Sequence, residues 1–282
     1  SDHRSCYYSC GGNHRADSPR RALGELHSVD WHVSRFRCSF LGSGSINIRF
    51  GAWGVNRRML SNKITIALLG LSWASMLVAL YLVFIWVPTE SNLGLSQRIF
   101  YLHVPVAWVG FLAFGLVFIS SVAYLARSNS GWDNLAYSAA EVGVVFTTLI
   151  LLTGMLWAKP VWGIWWSWSP RLTTSLILWL IYVAYLMLRS YSSDSSQGPR
   201  YAAVLGIIGF IDVPIVYFSI QWWRDVHPER IVGVEQALES SMYLTLLAGV
   251  VAFTCLFSYL VLARFQLRSC EQALEQIRQK YD

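Results

Sequence analysis

Charge is scarce in this chain: only 13% of its 282 residues are Asp, Glu, Lys or Arg, about half the share a soluble globular domain carries. That shortfall, with 55% hydrophobic residues and a mean hydropathy of +0.42, sets aside an ordinary water-soluble fold. No G-x-x-x-x-G-K-[ST] stretch occurs, so the chain lacks the phosphate-cradling loop of a nucleotide-hydrolysing motor. Cysteine is present at positions 6, 10, 38, 255 and 270 but never as C-x-x-C. Neither a dithiol redox motif nor a C-x-x-C-H haem-attachment site can therefore be assembled. Outside the first 57 residues there are only two histidines, His103 and His227. The net charge of +6 matters here by its placement along the chain, and no nucleic-acid-binding motif accompanies it.

Long apolar runs are what the chain has instead. A helix crossing about 30 Å of hydrocarbon needs roughly 20 apolar residues. Candidates are Ile64–Val87, Val104–Leu125, Ala136–Trp157, Leu172–Leu188, Ala202–Ile220 and Met242–Ala263. This predicts an all-α polytopic membrane protein of six transmembrane helices. Arg57, Arg58, Lys63, Arg127, Arg189, Arg200, Arg264, Arg268, Arg278 and Lys280 flank one side. Arg98, Lys159, Arg171, Arg224 and Arg230 flank the other. The richer set belongs in the cytoplasm, which puts both termini inside and loops 88–103, 158–171 and 221–241 outside. Residues 1–58 have neither strand nor helix periodicity, and we expect a disordered or non-native leader there. The Cys6/Cys10/His14 grouping in it lacks the second ligand pair of a zinc site, and Met59 would suit as a start. A membrane domain of 59–265 and a cytoplasmic tail of 266–282 complete the division.

The outer loops carry the chemistry. Trp162 to Trp168 reads W-G-I-W-W-S-W, four indoles in seven residues, followed by Ser169-Pro170-Arg171. Indoles collect at the membrane interface, but a slab of them beside a cation suits a large flat ligand bearing negative charge. Trp162, Gly163, Trp165, Trp166 and Trp168 form the slab, with Trp222 and Trp223 as further wall. His103 and His227 fall at the same face from different spans. A lone interfacial histidine is usually just a solvated ring. Two that flank an indole-rich loop suit axial ligation of a haem iron. Arg171 suits the propionates, or a lipid headgroup at a helix start, with Arg98 and Arg224 as seconds. Asp212, inside span five ahead of Pro214, is read either as a hydrogen-bonded acid between helices or as part of a ligand path. Glu141 is read as snorkelling to the cytoplasmic edge, and Cys255 as a small apolar residue.

The motif W-G-x-W-W-x-W, then x-x-R-L-T and L-x-L-x-x-x-Y, resembles the tryptophan-rich signature of cytochrome c-type biogenesis haem-handling proteins, most closely the six-span haem exporter protein C family. Arg98–Pro105 is similar to that family's first outer-histidine segment and Pro214–His227 to its second. The resemblance covers about residues 59–265. It implies haem b held between His103 and His227 at the periplasmic face of the inner membrane. It also implies delivery to a periplasmic haem chaperone, with ABC-type haem exporter subunits and a small single-span membrane protein as partners. The role is haem transfer, lyase-like in character, with no catalytic residue of a conventional enzyme. One departure is Ser169, where the family usually has an acidic residue. Rival readings are a haem-presenting component of the other cytochrome c assembly route, a secondary transporter with an aromatic belt, or a purely structural subunit. The first calls for more spans and histidines, the second for inverted repeats.

Overall fold

In the computed structural model the described residues are 52–90, 93–192, 197–223 and 239–281, with side chains described within these ranges from Lys63 to Glu275 and at Arg278. Every regular element among them is helical. The order is α1 (Ala52–Tyr81) running into a π-helical turn (Leu82–Trp86), α2 (Gln97–Arg127), α3 (Ser130–Trp162), α4 (Pro170–Tyr191), α5 (Gly198–Phe210), α6 (Asp212–Trp223) and α7 (Ser240–Tyr281). Six stretches are long and apolar enough to cross a membrane: Lys63–Trp86, Gln97–Arg127, Ser130–Trp162, Pro170–Tyr191, Gly198–Trp223 and Ser240–Glu275. The six-span expectation is met; five of the stretches extend past their predicted apolar runs at both ends, and the first ends at Trp86, one residue short of the predicted Val87. Helix suits such spans because each backbone N–H and C=O is satisfied inside the element. The expected leader, residues 1–58, lies for the most part outside the described residues. α7 passes the expected tail boundary at 265 without a break.

Short connections fold successive spans back on one another. α2 and α3 are joined through Ser128, in the left-handed region at φ 49°, and Asn129, whose side chain caps α3 by accepting from Gly131 N at 2.8 Å. Their shared seam is the most extensive among the described helices and is lined by small residues. A Cβ on Gly143 would lie 2.8 Å from Phe114 Cε1, and one on Gly110 would lie 2.8 Å from Ile150 Cδ1. Such absences of side chain let membrane helices approach closely. α7 lies along the same pair, with Phe257 and Val261 packed into the cluster of Val106, Val109, Ala113, Val142 and Phe146. On the other flank Phe114 stacks on Tyr182 of α4, ring centroids 3.7 Å apart and 12° from coplanar.

Span five is two helices. Pro214 has no N–H to give the carbonyl of residue 210, and the helix breaks at Ile211 between α5 and α6. Asp212 opens α6, where a carboxylate favours the positive end of the helix dipole. It is buried, and Asp212 Oδ2 accepts no hydrogen bond among the described residues, so the expected interhelical bond does not form through that oxygen. Glu141 does not simply snorkel: both its oxygens receive Arg264 of α7, through Nε and through Nη2 at 2.9 Å.

Sequence reading missed a second ion pair. Arg189 Nη2 lies 2.7 Å from Asp133 Oδ2, with side chains 6% and 8% exposed, tying the last turn of α4 to the first turn of α3. Each charge also faces the favourable end of its own helix dipole. Removing one partner strands a buried charge, a cost of about 3–5 kcal/mol. Arg189→Met alone should therefore lower the thermal unfolding temperature in detergent markedly. Arg189→Met with Asp133→Leu should recover most of the loss; a double variant as unstable as the single one would show that the pair itself, not the stranded charge, holds the helices.

Candidate functional site

Up-and-down alternation brings one set of ends together: the starts of α2, α4 and α7 and the ends of α3 and α6. The start of α2 is held by a local lattice. Leu93 N donates to Glu90 Oε2 at 2.6 Å and Glu90 N to Gln97 Oε1 at 3.0 Å. Gln97 Nε2 donates to Tyr101 Oη at 2.7 Å and reaches Met242 Sδ of α7 at 3.3 Å. Tyr101 is fully buried. Two turns into a helix so anchored, His103 is fixed in position. Its Nδ1 lies 2.8 Å from Thr153 Oγ1 of α3, and a Cβ on Gly154 would sit 3.4 Å from its Cε1.

The tryptophan block is an irregular bridge between two well-defined helix ends. α3 ends because Gly163 takes φ 78°, with its N–H bonded to Lys159 O at 3.0 Å. A residue with a Cβ would be strained there, which accounts physically for the glycine inside the indole run. Lys159 Nζ donates to Gly163 O at 2.9 Å and stands 5.8 Å from the Trp165 ring. Ser169 occupies the cap position of α4 in extended conformation without a side-chain capping bond, and Pro170 takes the first helical position.

Within the block the rings divide into two roles. Trp157 is 7% exposed and meets Trp162 edge to face, centroids 5.2 Å apart. Trp165 is exposed, and Trp168 is 76% exposed, its ring edge-on to Trp166 at 5.7 Å. Trp222 and Trp223, also exposed, lie edge-on to each other at 5.8 Å at the end of α6, with Trp222 stacked on Phe218. Buried indoles hold the α3 terminus, whereas the outer ones offer flat apolar area.

A cleft between α2, α3, α4 and α6 contains His103 and Arg171 together; the rest of its wall is predominantly apolar, including Ala107, Phe111, Phe114, Leu178 and Val216. Arg171 is in the first turn of α4, a turn without an acidic residue. Cationic side chain and helix N-terminus thus add up to a preference for an anion. Arg98 is near this end but faces elsewhere, its guanidinium 5.9 Å from the Phe84 ring. Arg224 and His227 lie outside the described residues. Among the described residues no three of His, Cys, Asp and Glu converge to cage a bare metal ion. A nitrogen donor, an arginine and an apolar wall are nonetheless what a metalloporphyrin with carboxylate arms requires of its host. Thr153 was not legible as a site residue, since nothing in an apolar run distinguishes a threonine that meets a histidine 50 positions earlier.

Residues 51–280 match the family model described as CcmC: Heme exporter protein C. The chain is 39% identical over 178 residues to Heme exporter protein C of Bradyrhizobium diazoefficiens, spanning 62% of this chain and 68% of that one. It is 37% identical over 177 residues to a putative cytochrome c biosynthesis ccmC-like mitochondrial protein of Marchantia polymorpha, covering 62% and 75%. Against Heme exporter protein C of Escherichia coli K12 the figures are 34% over 184 residues, 64% and 73%.

The two classes of indole should respond differently to truncation. Trp157→Ala removes a buried ring and should cost about 3–5 kcal/mol of stability. Trp168→Ala should stay within about 0.5 kcal/mol of the parent. Thermal unfolding of the detergent-solubilised chain measures both, and equal losses would contradict the division.

Proposed function

The chain belongs to the heme exporter protein C family, and from that premise we propose that it holds haem at the α2/α4 start of its bundle and delivers it onward for cytochrome c maturation. The observation that carries the reading is the apolar cleft shared by His103, near the start of α2, and Arg171, in the first turn of α4. His103 supplies one axial nitrogen and His227 the other, giving a haem b iron with two imidazole ligands. Arg171 grips a propionate with charge-assisted hydrogen bonds. Trp162, Trp165, Trp166 and Trp168 lie along the macrocycle, and Trp222 and Trp223 close the far wall. Arg98, turned toward Phe84, and Arg224 serve as outer cations. Haem is cargo here: the protein binds it, orients it and keeps it from water, and the iron supplies only the bond to nitrogen.

The six apolar helices and the family membership support a multi-pass protein of the inner membrane. The arginine-rich flank of Arg127, Arg189, Arg200 and Arg264 lies at the opposite end from the tryptophans. Under the positive-inside rule that end is cytoplasmic and the haem end periplasmic. A site there can hand haem to a periplasmic chaperone without the cargo recrossing the membrane. ABC-type exporter subunits and a small single-span protein are the membrane partners on this reading.

Two experiments test it. The chain purified from haem-replete membranes should show a low-spin haem spectrum, and both His103→Ala and His227→Ala should lose it. A colourless preparation that takes up no added haem would remove the assignment. Ser169 gives the second. Aspartate at a helix cap accepts from the first free N–H groups and typically improves a helix start, and it restores the family's usual acidic character beside the tryptophans. Ser169→Asp should keep or raise haem content and improve loading of the chaperone; abolished haem binding would refute this view of the position.

A further inference from the structure

A threonine hydroxyl has one proton, and at Thr153 three atoms lie within reach of its oxygen. Thr153 Oγ1 lies 2.6 Å from Leu149 O in its own helix, 3.3 Å from Ile150 O and 2.8 Å from His103 Nδ1. A carbonyl oxygen is an acceptor only. At 2.6 Å from it, an Oγ1 that gave its proton elsewhere would set two lone pairs against each other. The hydroxyl proton therefore belongs to Leu149 O, and Oγ1 meets the imidazole as an acceptor. His103 Nδ1 must then carry hydrogen, which leaves Nε2 as the nitrogen with a free lone pair.

We propose that Thr153 is a positioning residue for the haem ligand: it holds His103 as the Nδ1–H tautomer, with Nε2 as the atom that binds iron. The inference rests on the reading of His103 as a ligand given above, and adds to it the group that selects the donor atom. Ligating histidines characteristically donate their second ring nitrogen to an acceptor, which sets both tautomer and ring orientation. Here the acceptor comes from α3 and the ring from α2, so the tautomer is set by the packing of two helices. Gly110 and Gly143 allow that packing, and Gly154, whose added Cβ would come within 3.4 Å of the ring, leaves the imidazole its place beside α3. A threonine in this role differs from a carboxylate in adding no charge next to the metal site.

The test uses the full chain in four forms: parent, Thr153→Val, Thr153→Ser and His103→Ala. Valine keeps the shape and removes the acceptor; serine keeps the hydroxyl. Nitrogen-15 NMR of histidine-labelled protein without haem should show His103, identified by its loss in His103→Ala, as the Nδ1–H form. Thr153→Val should move it toward the Nε2–H form, whereas Thr153→Ser should not. Titration with haem should give an affinity for Thr153→Val on the order of tenfold weaker, the scale on which such outer partners act, with Thr153→Ser close to the parent. A parent His103 in the Nε2–H form, or Thr153→Val unchanged in tautomer and affinity, overturns the proposal. If His103→Ala retains haem with the parent spectrum, the ligand reading fails and the positioning role falls with it. The haem-free NMR result tells the two failures apart, because it reports on the Thr153–His103 contact alone.

Discussion

Gly110 and Gly143 leave so little between α2 and α3 that a Cβ on either would stand 2.8 Å from the facing side chain. In hydrocarbon no hydrophobic force drives two helices together, so van der Waals contact across small residues and a few polar bonds must do it. This seam sets the relative height of the two helices and hence which residue of α3 faces His103. It also gives α4 and α7 the surfaces they lean on, through Phe114 and Tyr182 on one flank and Phe146 and Phe253 on the other. Move the seam by one turn and the imidazole loses its hydroxyl, while the cleft loses its histidine.

Two ion pairs lie toward the arginine-rich end: Asp133 with Arg189, and Glu141 with Arg264, which also reaches Glu271 at 3.9 Å. These pairs join α3 to α4 and to α7, and Asp133 and Arg189 also face the favourable ends of their own helix dipoles. At the tryptophan end the cation in the first turn of α4 has no acidic residue in that turn. A cation at a helix start favours an anion, and the exposed indoles of Trp165 and Trp168, which precede it in the chain, offer flat apolar area.

Candidate residues were legible where their type is unusual for where they stand. A histidine at the start of an apolar run, and indoles at high density in a loop, both announce themselves without any coordinates. The π-helical turn at Leu82–Trp86 had no such signal, since its residues are ordinary apolar ones. Glu141 and Asp133 were visible as charges, but their partners lie 123 and 56 positions away, and no periodicity connects such distances. Arg98 looked equivalent to Arg171 in the sequence; packing separates them, sending the first to Phe84 and the second into the cleft.

Hydropathy and length alone determined the number of spans, because a membrane core admits only elements whose backbone is satisfied within themselves. The same local chemistry dictated the break before Asp212, where proline cannot donate, and the left-handed cap at Gly163, where a Cβ would strain the chain. Which nitrogen, hydroxyl and guanidinium meet was decided only in three dimensions. Contacts between helices depend on how far each side chain reaches across a seam, and that distance is a property of two packed surfaces together rather than of either segment read alone.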